Sequence, residues 1–248
     1  MKISKFQLYW MKFQLKYFER FAPPNLLNRI LQKEGFDIGD HTIFYGPNTM
    51  NIDRQRPWML KIGDYCKITN GCTILTHDYS RSVIRRYDGQ IIGEAGTTVI
   101  GNNVFIGVNS IILMGAHIGD NVIVGAGSVV SGQIPSNVVI AGNPAKIVRS
   151  LDEHILRRRN KTVEEAFLYF NKFVEWSGRE PSISEMGPFF PLFIQRERAA
   201  LEQSGVNITP NGDDSEDLIR ALLSTNPVFD SFDEFKKIAY QKREDNKE

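Results

Sequence analysis

The sequence predicts a mainly β fold: a parallel β-helix preceded by helices and followed by an α-helical extension. Three observations carry this reading. A six-residue period runs through the middle of the chain, a helical period precedes it, and helix-start signals follow it. From Ile100 the chain reads IGNNVF, IGVNSI, ILMGAH, IGDNVI, VGAGSV, VSGQIP. Ile100, Ile106, Ile112, Ile118, Val124 and Val130 open these blocks, and Val104, Ser110, Ala116, Val122, Ser128 and Ile134 stand four places later. A strand repeats every two residues and a helix every 3.6, so neither alone gives a strict period of six. One short strand and one turn per block does, with three blocks closing a triangular coil. The aliphatic side chain then points inward, and the small residue fills the cramped corner.

The first element, residues 1 to about 35, reads as helical. Ile3, Phe6, Trp10, Phe13 and Tyr17 recur at three and four, with Lys2, Lys5, Lys12, Lys16 and Arg20 around them. Pro23-Pro24 ends a first helix, and LLNRILQKEG predicts a second. The aromatic stripe is expected to dock on its own protein, covering the open end of the coil. Peripheral contact with a membrane surface through this helix is the alternative.

The repeat begins in weaker form at Ile38, continues through Thr42, Phe44, Asn48 and Met50, and resumes at Ile62, Cys66, Ile68, Cys72 and Ile74. NIDRQRPWMLK (51–61) fits poorly and predicts a distorted or looped block. Ile74 and Ile100 are 26 apart, not a multiple of six, so a segment of about 76–97 must leave the coil and return. A long insertion in a compact repeat is more often functional than ornamental. The expected division is therefore 1–37, 38–149 and 150–248.

After Ser150 the period becomes helical. Ser150/Glu153, Thr162/Glu165 and Ser231/Glu234 each fit a reciprocal capping pattern. PSISEMGPFFP (181–191) and NITPNGDDSED (207–217) read as loops. No catalytic motif stands out in this extension.

Composition narrows the class. The chain is 42% hydrophobic and 24% charged, ordinary for a globular protein, and its net charge of +1 supplies no field for nucleic acid. The absence of a long apolar run and of a secretory leader predicts a cytoplasmic protein. Cys66 and Cys72 fall on consecutive small-residue positions and read as buried side chains rather than a disulfide or metal pair.

The chemistry is expected at the excursion. His77 stands at its foot, followed by Asp78. Imidazole ordinarily titrates near pH 6.5, which suits a general base. Asp78 could orient the ring, with a backbone carbonyl or a more distant carboxylate as equal alternatives. A purely structural histidine is the other reading. Asn51, Asp53 and Arg54 lie in the irregular block just before it and suit hydrogen bonding to hydroxyl groups; a solvated turn is the plain alternative. Arg85, with Arg81 and Arg86, could meet an acidic acceptor or a neighbouring subunit. His41, His117 and His154 receive no role.

The hexads, THDYS before the excursion, NNVFIGVNSIILMG after it, and GAGSVVSGQIPSNVVIAGNPAKIVR together resemble the left-handed β-helix acyltransferases of the hexapeptide-repeat family. The resemblance covers roughly residues 38–149 and is nearest to the bacterial sugar and polysaccharide O-acetyltransferases. It implies the left hand of the coil, against the usual right-handed sense of crossover connections. It also implies a homotrimer with sites between subunits, acetyl-CoA as co-substrate, no metal, and His77 as the general base. The pantetheine arm is expected along Phe105, Gly107, Val108, Ala126 and Ser131, and the CoA phosphates near Lys146 and Arg149. Gly132 departs from the family pattern, where many relatives carry a lysine, so one phosphate contact is missing or comes from Arg157–Arg159. The acceptor would be a sugar or polysaccharide hydroxyl held by Asn51, Asp53, Arg54 and Arg85.

Other functions compete. A small acceptor such as an amino acid, an amino sugar or a drug is the nearest alternative, followed by a non-catalytic β-helix scaffold. A zinc-dependent carbonic anhydrase would need three histidines, and no close HxxxxH pair exists. A sugar nucleotidyltransferase would need an α/β domain that the 35 residues before the repeat are too few to form.

Overall fold

The computed structural model describes residues 5–208 and 213–245, with side chains through Arg243. Ile3 and Lys2 of the expected first helix, and residues 209–212 of the expected 207–217 loop, lie outside the described residues. The chain divides into two compact units, Met1–His154 and Ile155–Glu248.

The first unit is built on three sheets visited in strict rotation. Sheet A takes β1 (Asp37–Ile38), β4 (Leu60–Ile62), β7 (Thr98–Ile100), β10 (His117–Ile118) and β13 (Gln133–Ile134). Sheet B takes β2 (Ile43–Phe44), β5 (Lys67–Ile68), β8 (Phe105–Ile106), β11 (Ile123–Val124) and β14 (Val138–Ala141). Sheet C takes β3 (Asn51–Ile52), β6 (Thr73–Ile74), β9 (Ile111–Ile112) and β12 (Val129–Val130). Each strand lies parallel to the one a full turn away, as in Lys67 beside Phe105 and Phe105 beside Ile123. The aliphatic residue of each block enters the interior: Ile68, Ile74, Ile100, Ile106, Ile112 and Val124 are wholly buried.

The corners explain the polar part of the period. Asn103, Asn109 and Asn121 take left-handed φ values of 53°, 58° and 56°, and Gly115 and Gly127 do the same in their blocks. Glycine and asparagine tolerate this conformation best. The turn it makes sends the next residue inward, which is why Val104, Ser110, Ala116, Val122 and Ser128 are buried. Buried hydroxyls need partners; Ser110 Oγ donates to Gly107 O at 2.8 Å and Ser128 Oγ to Gly125 O at 2.6 Å. Asparagines also stack between turns, Asn103 Nδ2 donating to Asn121 Oδ1 and Asn121 Nδ2 to Asn137 Oδ1, both at 2.9 Å.

Two phase expectations are corrected. Ile134 pairs with Ile118 and takes the aliphatic position, not the corner, because the block after Val130 is two residues short. Ile52, not Met50, pairs with Ile74, because a 3₁₀ turn at Pro47–Thr49 adds two residues.

Helix α2 (Leu26–Lys33) closes the first end of the coil. It buries Leu26, Leu27, Ile30 and Leu31 in one cluster with Phe36, Ile38 and Phe44. Its polar side chains satisfy carbonyls of the first turn: Asn28 Nδ2 donates to Gly39 O and Thr42 O, and Gln32 Nε2 to Ile38 O. Helix α1 (Lys5–Phe18) docks through Met11 and Leu15. The expected aromatic stripe does not dock; Phe6, Trp10, Phe13 and Tyr17 are exposed. Aliphatic side chains on the other face fill the contact instead. The far end closes with β15 (Lys146–Ser150), which folds back antiparallel on β14.

In the second unit, helix α4 (Leu151–Ser177), whose first residues belong to the first unit, runs on to a core of Phe167, Phe170, Phe193, Phe229 and Phe235. Helices α5 (Arg198–Gln203), α6 (Ser215–Leu223) and α7 (Phe232–Asp245) follow; the short helix α3 belongs to the excursion and is described below. Ser150 and Glu153 form the reciprocal cap at the start of α4. Thr162 does not start a helix but lies inside α4, and Glu165 pairs with Arg158 instead. The 181–191 stretch is not a plain loop: 3₁₀ turns occupy Ser184–Leu192, kinked at Gly187, where φ is 54°. Among the described residues, no helix is long and apolar enough to cross a membrane.

Candidate active site

Two irregularities share one corner. After Ile52 the chain spends ten residues reaching the equivalent Ile62, where a regular block spends six. After Ile74, one turn later, it leaves the coil and rejoins at Thr98. Both departures follow a sheet C strand and precede a sheet A strand, so they stack. The excursion carries helix α3 (Arg81–Asp88), ended by Gly89 in the left-handed conformation. Its neck is tied by Gly96 N donating to Thr76 O at 3.2 Å and Thr98 Oγ1 to Leu75 O at 2.6 Å. Arg56 of the shorter insert reaches across, Nη1 donating to Glu94 O at 2.9 Å.

This stacking brings Asp53 to His77. Asp53 N donates to Ile74 O at 2.9 Å, which fixes its backbone beside the excursion's root. Its Oδ2 lies 2.5 Å from His77 Nδ1 and also accepts from the Thr76 hydroxyl. Its Oδ1 accepts from Gln55 N at 3.1 Å. The Asp53 side chain is only 4% exposed and that of His77 17%. Burial pushes the Asp53 carboxyl up, but hydrogen bonds from Thr76, Gln55 and His77 together outweigh it and hold it below its usual range. Asp53 is therefore ionised near neutral pH. A carboxylate on Nδ1 fixes the tautomer with the proton on that nitrogen and leaves Nε2 with its lone pair.

The expectation for Asp78 is corrected. Its carboxylate turns to the excursion backbone, Oδ1 accepting from Ser80 N at 2.7 Å, and that N–H holds it below its usual range. Adjacent residues point apart here, and the ring is met by Asp53 from the turn below. Asp53 is accordingly not an open contact for acceptor hydroxyls, because its oxygens are already engaged. Arg54 turns to Glu34 at the end of α2, 3.4 Å away, and is a tie to the N-terminal helices. Asn51 is exposed on β3, two residues before Asp53, and Arg85 is exposed on α3.

The residues expected along a donor arm lie on successive turns. Phe105 on β8 and Val108 after it are exposed, as are Ala126 and Ser131. Gly107 packs one turn of the coil on the next. Its N–H donates to Val124 O and its carbonyl accepts from Ser110, so both backbone groups are used inside the coil. A Cβ there would stand 2.5 Å from Ala126 N, so glycine is required by the packing of turn on turn. Lys146 and Arg149 both lie on β15, opposite Ala141 and Val139.

Thr76 and Arg56 were not singled out by the sequence reading. The signal comes only with the structure: once Ile52 is paired with Ile74, Asp53 falls beside Leu75, one residue from Thr76.

Residues 97–131 match the family model described as the hexapeptide repeat of succinyl-transferase. Protein CapG of Staphylococcus aureus is 37% identical over 172 residues, covering 64% of this chain and 96% of that protein. The chain belongs to the hexapeptide-repeat acetyltransferase family. Galactoside O-acetyltransferase of Escherichia coli K12 is 50% identical over 103 residues, covering 42% of this chain and half of that one. Among solved structures, a hexapeptide-repeat acetyltransferase from Vibrio cholerae matches with a TM-score of 0.44 at 22% identity, over 59% of this chain and 90% of that one. The resemblance to the hexapeptide-repeat family thus holds. In this chain the coil sets a buried carboxylate, Asp53, against His77 at the root of the excursion.

Proposed function

We propose that the chain is an acetyl-CoA-dependent O-acetyltransferase acting on a sugar or polysaccharide hydroxyl, with His77 as general base. The observation that carries this reading is the 2.5 Å contact of a buried carboxylate with His77 Nδ1 at the root of the excursion. The name of the galactoside O-acetyltransferase relative supports the acceptor class. In this reading the three-sheet coil is a left-handed parallel β-helix, residues 38–149 form the acyl-transfer domain, and three copies assemble with sites between them.

The chemistry follows from the nitrogen that Asp53 leaves open. His77 Nε2 accepts the proton of the acceptor hydroxyl as that oxygen attacks the thioester carbonyl. The new C–O bond forms, the carbonyl electrons move to oxygen, and collapse of the tetrahedral intermediate breaks the C–S bond. The CoA thiolate leaves and takes up the proton held by His77 or one from solvent. A backbone N–H stabilises the oxyanion. Asp53 holds the ring in place and stabilises the imidazolium that forms, so it is a positioning residue. General-base catalysis of this kind contributes about 10²–10⁴-fold.

The donor arm lies along exposed Phe105, Val108, Ala126 and Ser131, with Lys146 and Arg149 toward its phosphates. Asn51 and Arg85 contact the acceptor. Arg54, held by Glu34, takes no part. The test is free-thiol release from acetyl-CoA against a panel of sugars, nucleotide sugars, capsular oligosaccharides, amino acids and amino sugars. Acceptor-dependent release with a carbohydrate hydroxyl supports the reading. Release only with an amine or an amino acid overturns the acceptor class. A wild-type protein that does not bind acetyl-CoA overturns the activity and favours a scaffold.

A further inference from the structure

Helix α1 carries two apolar stripes on opposite sides. Met11 and Leu15, aided by Leu8, face the coil and are used up in its core. Phe6, Tyr9, Trp10, Phe13 and Tyr17 follow one another at three- and four-residue spacing on the other side. They point away from the protein: Phe6 is 76% exposed, Tyr9 70%, Trp10 57% and Tyr17 60%. Three of the rings run together, Trp10 stacked on Phe13 with centroids 5.5 Å apart and Phe13 tilted against Tyr17 at 4.9 Å.

The composition of the two stripes differs in a way that names the partner. The buried stripe is aliphatic or thioether; the exposed one is wholly aromatic. Lys5, Lys12 and Lys16 run along one edge of it, and no acidic residue occurs from Lys5 to Phe18. Lys12 is shared with Glu34 at 2.6 Å, and Lys16 lies over the Tyr17 ring. Aromatic rings prefer the boundary between headgroups and acyl chains, and lysines beside them are drawn to anionic lipid. A second copy of the same face would offer these lysines no opposite charge.

We propose that the outward face of α1 seats the protein on an anionic membrane surface, with the aromatic rings at headgroup depth and the lysines against lipid phosphates. This is a peripheral contact and goes beyond the acetyl-transfer reading, on which it does not depend.

The test uses the full chain and vesicles of phosphatidylcholine with and without phosphatidylglycerol. The sequence has three tryptophans, and Trp58 and Trp176 are exposed, so W58F/W176F leaves Trp10 as the sole indole reporter. Trp10 emission is expected to shift blue on the anionic vesicles, to be quenched by brominated acyl chains, and to recover with added salt. In flotation, K5E/K16E and, separately, W10S/F13S are each expected to lose at least about tenfold in partition. Unchanged melting temperatures confirm the fold, since these side chains are exposed. The proposal is overturned if Trp10 emission ignores the vesicles, or if both variants float like the wild type. It is also overturned if Trp10 becomes shielded with rising protein concentration and no lipid, which would make this face a contact between copies.

Discussion

Asp53 Oδ2 lies 2.5 Å from His77 Nδ1, although the two residues are 24 apart in sequence. One turn of the coil separates them, and stacking of one turn on the next makes them neighbours. Replacing Asp53 by Asn keeps the shape but offers an amide that can bind the wrong tautomer. Asp53→Asn is expected to lower kcat by about 10²-fold or more, with KM for the acceptor little changed. Steady-state kinetics with the acceptor found by thiol release checks this.

Asp78 provides the contrast. Its carboxylate faces Ser80 rather than the ring. Asp78→Asn should leave kcat within a few-fold of wild type. A loss as large as that of Asp53→Asn would reassign the orienting role.

Thr76 is wholly buried and its hydroxyl donates to Asp53. Thr76→Val keeps the shape and removes that donor from an ionised carboxylate. The expected cost is about 1.5–3 kcal/mol, read by urea denaturation.

The corner asparagines give a backbone test. Asn121 has φ 56° and hydrogen-bonds the asparagines of the turns on either side. Asn121→Gly keeps the conformation and loses only the ladder. Asn121→Val adds about 1–2 kcal/mol of left-handed strain. The valine variant should therefore melt below the glycine variant, as differential scanning calorimetry would register.

In the second unit, Arg179 clasps Glu185 and lowers its carboxyl to about 2, with the Ser182 N–H and hydroxyl assisting. A depressed folded-state value contributes stability that is fully present above the unfolded value near 4.5 and is lost as pH falls toward 2. Glu185→Gln should lower the melting temperature at pH 7 and match the wild type near pH 2. An equal gap at both values would contradict the assignment.

Much of the coil was legible because its period leaves little freedom. Ile100 to Val130 announce inward positions, while the left-handed corners at Asn103, Asn109 and Asn121 emerge only from the backbone. The phase slips at Ile52 and Ile134 were not legible, since a two-residue gain or loss in a turn leaves no mark in hydrophobicity. The candidate site was half legible. His77 stood out at the root of the excursion, but its partner was left open between Asp78, a backbone carbonyl and a more distant carboxylate. Only the stacking of two insertions at one corner brings Asp53 there. The aromatic stripe of α1 was read as a docking face, because spacing shows that a face exists without showing which of two apolar faces the core takes.

In the proposed reaction His77, held by Asp53, activates an acceptor hydroxyl. The most direct measurement is acceptor-dependent thiol release by His77→Ala, paired with its affinity for acetyl-CoA. A fall in kcat of about 10²–10⁴-fold is expected, with acetyl-CoA binding unchanged. Turnover at the wild-type rate in His77→Ala would contradict it.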